Sequence, residues 1–426
     1  MRGDVTRMLR RRKGMKFGRR LLKLGSSGED VLQLQKYLTN FGYQVGPIDG
    51  HFGYLTQEAL RFFQRDFRLR IDGIAGPEVF GLLKETNLPI RRRVHHVQPG
   101  ETLEKICQLY DVGSAAFGRQ VCKAPLYPGQ SLVFFHREVW GIPVSPQVEP
   151  MSITGVIHPT TLYEDIKLSD TKTSDRIIAV DLGTENPGLR LHQVLTNRKQ
   201  RKASRSYLQK ALARAKGLYL PWEEFSRVDG VRYYKFLRKL RRLANDKRLM
   251  IGLTAATPRW NVFGGLDFKE VSNIVDQVVI RIPLPTEPGP IISKLRLECL
   301  IHKMLRDIPS YKILLRIPVY AMKWTFTESE VTSEILSHSA AMSQVFRYGA
   351  RLAADQENSL YYRYRRQETE TEIRITSQRE YNQVLSLINR YNLAGVVLDG
   401  LGLEDQRLWQ TIRSHFVNVS MGEHFF

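Results

Sequence analysis

Cysteine is scarce in this chain and acid is in short supply. Three cysteines in 426 residues are too few for a disulfide framework, and no Cys/His spacing has the form of a metal site. Cys107 and Cys122 fall in one short stretch, where a bridge and two buried thiols are both open readings, while Cys299 sits alone in a helical pattern and reads as a buried thiol. Long apolar runs are missing too: no segment approaches the ~18–20 apolar residues that cross a bilayer. The basic N-terminus never leads into an apolar stretch, because Leu21 and Leu22 give way at once to Lys23 and Gly25. No secretory signal is therefore expected.

The shortage of acid leaves a large positive balance. Lys and Arg number 64 against 43 Asp and Glu, a net charge of +21. That charge favours a polyanionic partner through long-range attraction, whether nucleic acid, acidic membrane or wall polymer, and says nothing about fold. Residues 1–20 read as a basic flexible tail. The segment from Arg198 to Lys216 is a second basic run, but no nucleic-acid motif accompanies it, so a nucleic-acid partner is not expected. At this length a multidomain chain is expected.

Residues 21–88 read as a small all-α module. Val31, Leu34, Tyr37 and Leu38 recur at helical spacing, and Thr56 caps a second helix that holds Ala59, Leu60 and Phe63. Two turns, Asp49-Gly50-His51-Phe52-Gly53 and Asp72-Gly73-Ile74-Ala75-Gly76, each deliver the chain into a helix, which implies an internal helix–loop repeat. The pattern resembles the peptidoglycan-binding domain of cell-wall hydrolases. Gly25, Gly28, Gln35, Asp49, Gly50, Phe52, Gly53, Gln64, Asp72 and Gly73 are among the matching positions.

Residues 94–136 open Val94-His95-His96-Val97-Gln98-Pro99-Gly100-Glu101-Thr102-Leu103, continue through Ile106 and Tyr110, and close with Tyr127-Pro128-Gly129-Gln130-Ser131-Leu132-Val133. A strand, a Pro-Gly turn, a helix and a closing Pro-Gly turn into an apolar strand give a βααβ unit. The segment looks like a LysM domain, a binder of N-acetylglucosamine-containing glycans. The resemblance implies a sugar site between two loops, at Gly100, Glu101 and Thr102 and at Pro128, Gly129 and Gln130. His95 and His96 read as strand residues rather than ligands.

Pro143, Pro146 and Pro150 mark residues 137–150 as a linker. From 151 to 426 strands and helices alternate, the mark of an α/β domain with a parallel sheet. Strands are expected at Ile153–Ile157, Arg176–Asp181, Gly217–Pro221, Leu249–Thr254, Gln277–Ile282, Lys312–Ile317 and Gly395–Asp399. That makes seven where a closed (β/α)8 TIM-barrel-like domain needs eight, so the eighth is either concealed in residues 158–215 or absent. Residues 355–376 read as a β-hairpin insertion before the last strand.

Lys216-Gly217-Leu218-Tyr219-Leu220-Pro221-Trp222-Glu223, the Leu266–Val279 and Lys312–Tyr320 blocks and Leu393–Gly402 resemble family-18 glycoside hydrolases, in particular the LysM-bearing N-acetylglucosaminidases of spore formers. That family uses substrate assistance, an exception to the two-carboxylate scheme. A Glu at the end of the fourth strand protonates the glycosidic oxygen, and an Asp two residues earlier steadies the substrate's attacking N-acetyl group. Here Glu223 stands at the acid's position and Pro221 at the Asp's. The two earlier acidic positions fall on Lys216 and Tyr219, the sixth-strand Tyr-Asp pair on Ile282 and Pro283, and the eighth-strand Trp on Asp399. The resemblance thus implies a barrel that has lost hydrolysis, with an active cortex-lytic glucosaminidase using Glu223 as the alternative. Tyr219, Trp222, Trp260, Tyr320 and Trp324 are read as a sugar-stacking floor or as barrel packing. The expected partner is peptidoglycan or another N-acetylglucosamine glycan in a bacterial cell wall or spore envelope. No cofactor is implied.

Overall fold

The structure is a computed structural model. It describes residues 17–41, 43, 45–67, 69–84, 92–110, 112–114, 125–145, 153–164, 176–223, 227–254, 266–328, 330–349, 351–357, 359–366, 369–415 and 417–418. Two compact units divide at His136/Arg137.

The first unit opens with α1 (Glu29–Asn40), α2 (Tyr54–Asp66) and α3 (Pro77–Lys84). Their apolar stripes supply one core, including Val31, Leu34, Leu38, Leu60, Phe63 and Val79, each fully or almost fully buried. Each such side chain contributes roughly 1.5–3 kcal/mol on burial. The repeat expected from the two Asp-Gly turns is present in the hydrogen bonds. Gln35 of α1 donates to the carbonyls of Pro47 and His51 (both 3.0 Å) and accepts from Gly50 N–H at 2.8 Å. Gln64 of α2 donates to Asp72 Oδ1 (2.8 Å) and Ile74 O (3.0 Å) and accepts from Gly73 N–H at 2.8 Å. Gly50 and Gly73 hold φ of 76° and 70°, a left-handed turn conformation that a side chain would strain.

Part of the supposed tail belongs to this core. The Phe17 ring packs with its centroid 5.2 Å from that of Tyr37 and, edge to face, 4.9 Å from that of Phe80, and Arg20 grips the buried Asp30 with two hydrogen bonds of 2.8 and 3.0 Å. An aromatic and a paired cation at the end of a basic run are recruited by what they contact, which composition alone does not reveal. Residues 1–16 lie outside the described ones.

The unit continues with β1 (Arg92–His96), α4 (Leu103–Tyr110) and the first half of β2 (Ser131–Pro143), where Arg92–His96 pairs antiparallel with Ser131–Phe135. The second helix expected here falls outside the described residues, as does Cys122.

The second unit is a closed barrel of eight parallel strands. Its strands are the second half of β2, β3 (Gly155–Thr161), β4 (Arg176–Asp181), β5 (Gly217–Leu220), β6 (Arg248–Thr254), β7 (Gln277–Arg281), β8 (Ile313–Pro318) and, after an insertion, β14 (Gly395–Leu401). Each pairs in parallel with the next, β14 pairs with both β8 and β2, and β2 closes the ring on β3 through Trp140 and Gly141. The eighth strand is therefore Glu138–Pro143, inside the segment read as a linker. Its charged start concealed it: Arg137 is buried and donates to Asn389 and Asn392, and Glu138 is 6% exposed. Pro143 sits at the strand's end, where proline is tolerated.

Helices α5 (Pro187–Thr196), α6 (Arg198–Arg214), α7 (Arg227–Ala244), α8 (Phe268–Ile274) and α9 (Lys294–Met304) lie between strands β4 and β8. The interior is filled by Trp140, Ile157, Ile177, Tyr219, Met250, Val279, Leu314 and Val397, a packed core rather than a pore. Glu138 closes the N-terminal end. Its carboxylate accepts from Trp140 Nε1 at 2.8 Å, Gln277 Nε2 at 2.9 Å and Arg248 Nη1 at 2.5 Å, and the Arg248 guanidinium covers the Trp140 ring.

Between β8 and β14 stands a five-stranded antiparallel sheet in the order β10 (Val331–Leu336), β9 (Ala321–Phe326), β13 (Thr369–Ile375), β12 (Leu360–Arg366) and β11 (Ala353–Ala354), packed on α10 (His338–Tyr348). The expected hairpin is β12–β13, only part of this larger insertion. Then α11 (Gln378–Arg390) leads into β14, and α12 (Arg407–Arg413) follows it.

Candidate functional site

Catalytic and ligand-binding groups of (β/α)8 barrels gather at the C-terminal ends of the strands. Alternation along β5 places Tyr219 inward and Leu220 outward, and past the strand's end Trp222 packs outward on Phe236 while Glu223 reaches Thr254 at the end of β6. Tyr219 is 2% exposed and crosses the interior; a Cβ on Gly252 would come within 2.4 Å of its hydroxyl, so only glycine leaves room there. Burial raises the Tyr219 hydroxyl above its ordinary pKa, with the Arg316 guanidinium, its hydrogen-bond partner, opposing that rise. Arg316 of β8 in turn donates to Asp399 Oδ1 of β14 at 2.9 Å. Tyr219, Arg316 and Asp399 thus form a chain across the barrel.

Glu223 has its own partners at the mouth. Thr254, the last residue of β6, donates to its carboxylate through both backbone N–H and hydroxyl. Arg281, the last residue of β7, donates to Thr254 Oγ1 at 2.6 and 2.9 Å and reaches Glu223 Oε1 at 3.4 Å. Both carboxylate oxygens of Glu223 thus meet donors within the protein, whereas a general acid must bring an oxygen against the group it protonates. Pro221, two residues earlier, has no side-chain oxygen to offer an N-acetyl group.

The aromatics proposed as a stacking floor are closed in. Trp222 is 1% exposed, donates from Nε1 to Val180 O at 2.8 Å and stacks on Phe236 of α7, on the helix side of the sheet. Trp324 belongs to β9 of the insertion and is fully buried, and Tyr320 is 5% exposed. A ring packed on both faces has none left for a sugar. Trp260 lies outside the described residues. Sequence reasoning found Glu223 but not Thr254 or Arg281; their place as the final residues of adjacent parallel strands was the available signal.

In the first unit the two glycan-loop candidates are adjacent. Val97 N–H bonds Gln130 O at 2.9 Å and Gly129 N–H bonds Val97 O at 2.8 Å. Gly100 and Gly129 both adopt positive φ. Glu101 accepts from Gln98 N–H at 2.7 Å and contacts His95 Nε2 at 2.8 Å, bonds that hold its carboxyl below the usual range. Thr102 Oγ1 accepts from Lys105 N–H at the start of α4, and Gln130 Oε1 accepts from Tyr127 N–H. These side chains shape the loops, and Pro128 and Gly129 are the central residues of the second turn, closed by Gln130 N–H on Tyr127 O at 2.9 Å. His95 and His96 lie in β1, as expected. Cys299, expected to be buried, is exposed.

Residues 27–83 match the peptidoglycan binding domain family. Over 67 residues the chain is 43% identical to a spore cortex-lytic enzyme of Bacillus cereus, a stretch that covers 16% of this chain and 26% of that protein. The chain therefore spans about a quarter of that curated relative's length. The fold has wider counterparts. The spore cortex-lytic enzyme SleL of Bacillus megaterium superposes with a TM-score of 0.58 at 17% identity, covering 84% of this chain and 96% of that one. A chitinase from Chromobacterium violaceum superposes with a TM-score of 0.55 at 19% identity, covering 66% of this chain and 99% of that one. A small helical module that matches the peptidoglycan binding domain family thus precedes an eight-stranded parallel barrel in this chain.

Proposed function

We propose that this chain docks on peptidoglycan in a bacterial cell wall or spore envelope and carries a family-18-like barrel that no longer hydrolyses glycan. The docking half rests on the helical module and its cortex-lytic relatives. The β1–α4–β2 segment is read as a LysM domain that takes an N-acetylglucosamine glycan between Gly100–Thr102 and Pro128–Gln130. Positive-φ turns at Gly100 and Gly129 on two hydrogen-bonded loops support that reading.

The loss of hydrolysis rests on one observation: the carboxyl at the acid's position is engaged by Thr254 and Arg281, while Pro221 stands where the assisting Asp would be. Removal of a preorganised charge partner commonly costs on the order of 3–5 kcal/mol of transition-state stabilisation. The test is release of reducing ends from purified cortex peptidoglycan by the full chain and by Glu223→Gln. The expected result is sedimentation with the polymer and no release by either protein. Release by the wild type that Glu223→Gln abolishes would overturn the reading.

A further inference from the structure

The outer wall of the barrel carries a concentration of charge that the mouth does not use. Helix α6 holds seven Lys or Arg and no carboxylate. Helix α7 holds seven more, and its one carboxylate, Asp229, is buried against His192 and Arg232. The two helices flank β5 and pack side by side. Helical spacing sets Lys199, Lys202 and Lys210 on one stripe of α6 and Lys235, Lys239 and Arg242 on one stripe of α7, and all six are exposed. At 1.5 Å per residue the α6 stripe runs about 16 Å. Like charges three and four residues apart cost a helix a few tenths of a kcal/mol per pair, a cost that an external polyanion offsets.

The character of the face narrows its partner. Every aromatic on the two helices is buried or half-buried, including Tyr207, Tyr233 and Phe236, so no ring is presented for base stacking. Five of the six cations on these stripes are Lys, point charges on flexible stems that can pair with a carboxylate without the fixed geometry a guanidinium fork imposes. We infer that the α6–α7 face binds the free carboxylates of peptidoglycan stem peptides, as an electrostatic contact additional to the docking modules. The inference rests on the proposed docking function: once those modules hold the polymer, its carboxylates are present at high effective concentration.

The test uses the full chain with Gln at all six positions, a second variant with Arg at the five Lys positions, and purified sacculi with native or amidated carboxylates. At low salt the Gln variant is expected to bind native sacculi about tenfold more weakly than wild type, and at high salt equally well, since screening removes only the charge-dependent part. The Arg variant should bind as wild type does, and amidation should erase the difference. Equal binding at low salt, or a deficit that persists on amidated sacculi, would overturn the inference. So would a charge-dependent component that DNA or anionic phospholipid vesicles remove at lower charge concentration than soluble stem peptide does. Failure of every variant to bind at high salt would count instead against the docking reading.

Discussion

The most direct consequence of the mouth's geometry is that Glu223 should stabilise the barrel, which a working catalytic acid is not expected to do. Replacement by Gln keeps one acceptor and sets an amide N–H₂ against a donor, either Thr254 N–H or the Thr254 hydroxyl with Arg281 behind it. A hydrogen bond to a charged group contributes about 1.5–3 kcal/mol. The Arg281 side chain is 48% exposed, so its ion pair is screened and adds little. Loss of one such bond therefore gives an expected destabilisation of about 2 kcal/mol. Urea unfolding followed by tryptophan fluorescence reads it cleanly, because all five tryptophans lie after residue 137, in the barrel unit. A midpoint unchanged or raised in Glu223→Gln would refute the reasoning. Residues held for catalysis tend to be kept at a cost in stability, and their removal often relieves it.

Two further perturbations probe the scaffold. Glu138→Ala strips the acceptor from Trp140 Nε1, Gln277 and Arg248 at the closed end of the barrel; stranded buried donors and an unpaired cation should cost about 3–5 kcal/mol in the same urea assay. Burial raises the carboxyl of Glu380, in the first turn of α11, from 4.5 to about 7. The unfolded chain ionises this group first, so stability is full below pH ~4.5 and declines as pH rises through about 7, by roughly 3 kcal/mol in all. Glu380→Gln should flatten that slope, and an unchanged slope would place the titration elsewhere.

The parts of the fold that were legible are those whose signals are local. The Asp-Gly turns marked the helical repeat because a left-handed backbone demands glycine there, and Gln35 and Gln64 occupy equivalent places in it. Seven barrel strands were legible as short apolar runs. The eighth was not, since Arg137, Glu138 and Pro143 imitate a linker until Asn389, Asn392 and Gln277 are brought to meet them. Residue type also obscured a difference of place: Tyr219 fills the barrel interior, whereas Trp222, just past the end of β5, packs on Phe236 outside it, so the two do not share a floor. Thr254 and Arg281 acquire meaning only when adjacent parallel strands bring their ends beside Glu223.

Under the proposed loss of hydrolysis, the same contacts set what a return of chemistry would require. A site that had lost a single carboxylate could recover by one substitution. Here Tyr219 spans the interior against Gly252 and is tied through Arg316 to Asp399, while Arg281 and Thr254 engage Glu223. Pro221→Asp would supply the assisting group's position yet leave the acid engaged by Thr254 and Arg281, and release of Arg281 would still leave a tyrosine ring in the interior. The substitutions support one another, so each alone restores little, a non-additivity expected of groups that act as a unit. Such mutual support is what the proposed reading, a polymer-bound barrel that does not hydrolyse, leads one to expect.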